Sequence, residues 1–136
     1  MNKGVSTTLE AIFLLSISSI LIAIVLVSFY DVSSRVKNVS ASEEAYSIAS
    51  RIARDVYSLA VSNATYAKKE LRIPHTIGGE QYTITLVNET HKLIVENKYV
   101  RVEVPLSPYL SIGGSQANSY MAYLVVNNGV VEVKNE

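Results

Sequence analysis

Between Ala11 and Tyr30 the chain reads AIFLLSISSILIAIVLVSFY, twenty residues with no charge, proline or glycine. As an α-helix rising about 1.5 Å per residue, the run is about 30 Å long, which matches the hydrocarbon thickness of a bilayer. A helix is also the one single-segment structure that satisfies its own backbone in lipid. A cleaved secretory signal has a shorter apolar region, about 7–15 residues, followed by small residues at the cut. Here the run is longer and leads into Phe29-Tyr30-Asp31 with no Ala-x-Ala pattern, so it is expected to stay in the mature protein.

The ten residues in front are MNKGVSTTLE. Lys3 and the N-terminal amine carry positive charge, Gly4 follows at once, Val5-Ser6-Thr7-Thr8 is short and mostly polar, and Glu10 stands at the threshold of the apolar run. A glutamate in a first helical turn is favourable to the helix dipole in any protein. Taken with the uninterrupted apolar helix that follows, these residues resemble the class III signal of type IV prepilins, in particular archaeal pilins and archaellum-like proteins. The resemblance is close over about thirty residues and only architectural beyond them. It implies that a membrane aspartic prepilin peptidase recognises Lys3 and Gly4, cuts after Gly4 and makes Val5 the new N-terminus. Glu10 falls sixth after that cut, where the family's acidic residue, which pairs with a neighbour's terminal amine, is fifth.

Twelve basic and twelve acidic side chains leave no net charge, so nothing draws the chain to nucleic acid. With no cysteine, disulfides, thiolate metal sites and cysteine nucleophiles are excluded together. Lys3 before the run and Arg35 and Lys37 after it nearly balance, so charge does not set membrane orientation. Three Asn-x-Ser/Thr triplets, at Asn38, Asn63 and Asn88, all lie beyond the run and are candidate N-glycosylation sites. Their placement favours an external C-terminal region.

Helical periodicity continues past Asp31, through Val32, Val36 and Val39 and then Ala45, Ile48, Ile52, Val56 and Leu59. The expectation is one helix from about Ser6 to Val61, with Ser33, Ser34 and Ser40 making its middle a place for bending or local melting. Arg51, Arg54 and Asp55 read as its wet face. Beyond Asn63 the period becomes two, and strands are expected at Leu71–Pro74, Tyr82–Val87, Lys92–Val95, Tyr99–Val104, Met121–Val126 and Val130–Val133. Asn127-Asn128-Gly129 is the strongest hairpin signal. The expected fold is α+β: residues 1–4 a leader, 5–30 a hydrophobic assembly or transmembrane helix, 31–62 its amphipathic continuation, and 63–136 a small antiparallel head of about five strands. A meander covered by the Ala45–Leu59 stripe is the simplest topology, although an all-β head on a helical stalk fits the pattern nearly as well.

No catalytic constellation emerges. His75 and His91 have no metal or triad spacing and read as surface residues, and Gly78-Gly79 and Gly113-Gly114 read as turns. No enzyme activity, metal or cofactor is expected. The resemblance implies a structural subunit, major or minor, of an archaeal type IV pilus-like surface filament. Copies of the chain, or related pilins, would bury Ile12 to Phe29 against one another after leaving the membrane. Leu15 lies within that surface, and Ser16, Ser18, Ser19 and Ala23 would permit close approach. Peptidase and assembly machinery are the other implied partners. The alternative is a signal-anchored membrane protein that never polymerises, such as an archaellum stator-like component with an external β head.

Overall fold

The structure, a computed structural model, describes residues 3–136. Residues 1 and 2 of the expected leader, and the side chain of Lys3, lie outside the described residues. The elements are α1 (Lys3–Val61), β1 (Tyr66–Glu70), β2 (Thr83–Val87), β3 (Lys92–Glu96), β4 (Arg101–Pro105), β5 (Ser115–Asn118), β6 (Ala122–Asn127) and β7 (Val130–Asn135). Between Lys37 and Asn38 the chain divides into two compact units.

The first unit is helix alone, and every side chain from Gly4 to Val32 is exposed. Ser33, Ser34 and Ser40 are helical, not melted. No proline or glycine interrupts there, and Asp31 and Arg35, four apart, form an ion pair at 3.1 Å that supports the turn.

The second unit holds the remainder of α1 and all seven strands. Ala41, Ala45, Ile48, Ala49, Ile52, Ala53, Val56 and Leu59 form one stripe, buried in a single apolar core with both sheets. Four alanines on that stripe let the helix lie close to its neighbours. Three polar ties hold the same segment: Lys69 Nζ to Asp55 Oδ1 (2.6 Å), Arg51 Nη1 to the Arg72 carbonyl (3.2 Å) and the Ser107 amide to the Tyr57 hydroxyl (2.9 Å). The helix ends where Ser62 bonds back to the Leu59 carbonyl and Asn63 takes a left-handed φ of 50°, a conformation asparagine tolerates.

The strands form two antiparallel sheets, in orders β1-β6-β7 and β4-β3-β2-β5. The expected meander is present as β2-β3-β4, but the head has seven strands in two sheets instead of about five in one. β1 and β5 were not expected. Along β1 Tyr66, Lys68 and Glu70 are exposed while Ala67 and Lys69 are half-buried, so the Lys-Lys-Glu run conceals a strand whose inner face is Ala67 and the stem of Lys69. Leu71–Pro74 was expected as a strand and is not one. The Leu71 amide reaches the Ala122 carbonyl and prolongs the β1–β6 ladder by one step, after which the Arg72 carbonyl is taken by Arg51 and Pro74 offers no donor.

The sheets are stitched where β5 approaches β7. The Val133 amide donates to Ser115 Oγ (2.9 Å), the Gly113 amide to the Val131 carbonyl (2.8 Å) and the Val131 amide to the Ser111 carbonyl (2.9 Å). That seam covers an edge. The free edge at β4 is blunted by Pro105 and by exposed Arg101 and Glu103. Asn127 and Val130 pair across a two-residue turn in which Asn128 and Gly129 have φ of 51° and 81°, the primed turn the sequence signalled. Asn97 closes the β3–β4 turn by accepting the Tyr99 and Val100 amides while its Nδ2 donates to the Ile77 carbonyl at 3.0 Å.

Ile52, fully buried on the stripe, and Val36, 61% exposed, are both apolar residues of α1. In urea unfolding of the detergent-solubilised chain, Ile52→Ala is expected to lower stability by about 2–5 kcal/mol. Val36→Ala should stay within about 0.5 kcal/mol.

Candidate functional site

The residues expected to mediate assembly all lie on the exposed surface of the first unit: Glu10, Ile12, Leu15, Ser16, Ser19, Ala23 and Phe29. Ser16 Oγ donates to the Ile12 carbonyl and Ser19 Oγ to the Leu15 carbonyl, each at 2.8 Å. Both hydroxyls are thus satisfied within the helix and present no unmet polar demand to lipid or to another helix. Gly4 and Val5 sit in the first turn of α1, where the amides have no intrahelical partner, and the Gly4 carbonyl accepts the Thr7 and Thr8 hydroxyls at 3.0 and 2.9 Å. α1 is long and apolar enough to cross a membrane.

The three Asn-x-Ser/Thr asparagines are exposed in different settings. Asn38 is within α1, Asn63 is in the turn that closes it, and Asn88 is in the turn between β2 and β3. His75 is exposed and His91 half-buried, with a left-handed φ of 47° in its turn. The His75 ring lies 5.4 Å from that of Tyr120, and its Nδ1 is 3.3 Å from the Ser119 carbonyl. Among the described residues no group of three or more His, Asp or Glu side chains is placed to hold a metal.

Two features of the second unit were not legible beforehand. One is an open cleft of about 720 Å³, lined by Arg51, Asp55, Lys68, Lys69, Glu70 and Arg72. Asp55 is not simply on a wet face as expected, because strand β1 delivers Lys69 onto it. The other is Tyr82, only 2% exposed, whose hydroxyl donates to the Pro74 carbonyl (2.5 Å). Beside it Ser119 Oγ donates to the His75 carbonyl (2.5 Å), so the strand-free segment after β1 is held by two buried hydroxyls. Burial, and secondarily the charge of Glu44, hold the Tyr82 phenol well above the ordinary tyrosine range.

Over residues 1–134 the sequence matches the model of a family of unknown function, DUF7266. The chain belongs to that family. No curated protein and no solved structure matches it. In this DUF7266 member the exposed ion pairs follow simple rules: Lys92 and then Arg101 hold Glu103 below the usual carboxylate range, and Glu132 raises Lys134. Such pairs contribute little individually.

Tyr82 gives a pH signature. Its folded-state pKa is raised, so its contribution is complete below the unfolded value of about 10 and is lost as pH rises through the folded value. Tyr82→Phe is expected to cost about 1 kcal/mol at neutral pH through the lost hydrogen bond. In urea unfolding, wild type should lose about 1.4 kcal/mol relative to the variant by pH 11, so the gap of about 1 kcal/mol closes and the variant becomes slightly the more stable of the two.

Proposed function

We propose that this chain is a structural subunit of an archaeal type IV pilus-like filament, made as a membrane-anchored prepilin and assembled after its leader is removed. One observation carries the reading: the side chains of Ala11 to Tyr30 form an uncharged helical surface that is exposed throughout, directly after Lys3-Gly4 and Glu10. In the membrane, lipid covers that surface. In a filament, other shafts cover it, and each Å² removed from water contributes about 25 cal/mol.

The roles follow from this reading. A prepilin peptidase cuts between Gly4 and Val5, and the assembly machinery extracts the shaft from the bilayer. The β head and its asparagine acceptors face outward, and no catalytic step is involved. The scissile bond lies in the least supported turn of α1, and a side chain added at Gly4 meets nothing within 4 Å. A substitution there therefore tests recognition without disturbing packing.

The measurement is the intact mass of the mature chain from its native host. Wild type should begin at Val5 and appear in sheared surface filaments, whereas Gly4→Val should keep its leader and remain with the membranes. A wild-type chain that still begins at Met1 and never leaves the membrane fraction would establish the non-polymerising anchor instead.

A further inference from the structure

In the second unit, Lys68, Lys69, Lys92, Lys98, Arg101 and Lys134 each pair with a carboxylate, at 2.5–3.0 Å. Among the described residues, the cations of this unit without a carboxylate partner are Arg51, Arg54 and Arg72. Arg51 and Arg72 line the same cleft, and Arg54 follows Arg51 by three residues on α1.

The arrangement has a specific cause. Asp55 stands four residues after Arg51, the spacing at which a helical carboxylate ordinarily neutralises an arginine. Lys69 instead occupies Asp55 at 2.6 Å, and Arg51 Nη1 donates to the Arg72 carbonyl at 3.2 Å. Arg51 is thereby held against the segment that carries Arg72, with its remaining N–H donors unspent. Lys68 is engaged with Glu136 at 2.9 Å and lies over the Tyr123 ring, so the charge free in the cleft is guanidinium, opposed by Glu70. Guanidinium presents paired donors that match two oxygens of one oxyanion, which an ammonium does not.

We propose that this cleft is a phosphate-type oxyanion site, with Arg51 and Arg72 as the paired donors. It stands whether or not the chain polymerises. The phosphate could come from a soluble phosphomonoester or from a lipid headgroup, and the chemistry at the arginines is the same.

The test uses the full ¹⁵N-labelled chain in nonionic detergent, titrated with inorganic phosphate at constant ionic strength while the arginine Nε–H resonances are followed. Saturable shifts are expected at Arg51 and Arg72. Arg51→Ala combined with Arg72→Ala should weaken binding at least about tenfold. Arg51→Lys should weaken it about fivefold or more, because charge without the fork is insufficient. Lys134→Ala, a paired surface cation, should leave it unchanged. A second arm measures binding to phosphatidic acid vesicles against phosphatidylcholine vesicles. Arginine-dependent retention on the former assigns the site to a headgroup, and saturation by free phosphate alone assigns it to a soluble ligand. Absence of saturable shifts at both arginines, or equal shifts with chloride, overturns the proposal.

Discussion

The apolar shaft surface is the constraint on which the rest depends. Fully burying one Leu, Ile or Phe side chain is worth about 1.5–3 kcal/mol, and from Ile12 to Phe29 such residues stand exposed on all sides of the helix. A contiguous surface of that kind marks a membrane or protein partner. The helix satisfies the segment's backbone internally, and the Ser16 and Ser19 hydroxyls return to the carbonyls four residues before them. What its apolar side chains lack is solvent exclusion, and that must come from outside the chain.

The β head is stabilised by other means. With no cysteine to staple it, the second unit closes one core from the alanine-rich stripe of α1 and the inner faces of both sheets. The burial changes along α1 without a break in secondary structure: exposed all round through Val32, buried along one stripe from Ala41. A single helix thus answers two environments by changing which faces carry apolar side chains.

Much of this was readable because it depends on local spacing. The 3.6-residue period located the stripe from Ala45 to Leu59, and Asn128-Gly129 located the final hairpin, because a primed turn requires left-handed φ at both positions. β1 was hidden because an inward-facing lysine stem reads as polar, and β5, Ser-Gln-Ala-Asn, buries only Ala117. The number of sheets depends on β1 and β6 pairing across more than fifty residues, which no local pattern encodes. The cleft was illegible for the same reason. Arg51 and Asp55 look like solvent-facing helix until Lys69 and the Arg72 carbonyl arrive from β1 and the segment beyond it.

The distribution of ion pairs in the head is better understood as masking than as stabilisation. Exposed pairs of the Lys92–Glu103 or Lys134–Glu132 kind contribute about 0–1 kcal/mol each, so the core would survive their loss. Their consequence lies at the surface. Each neutralises a cation that would otherwise attract counter-ions indiscriminately, and the chain as a whole carries no net charge. Against that neutral background a few unpaired guanidinium groups are the positive features a diffusing anion meets at short range, where screening is weakest. Selectivity then follows from where the lysines have been spent, and Lys69 on Asp55 is the pair that leaves Arg51 available.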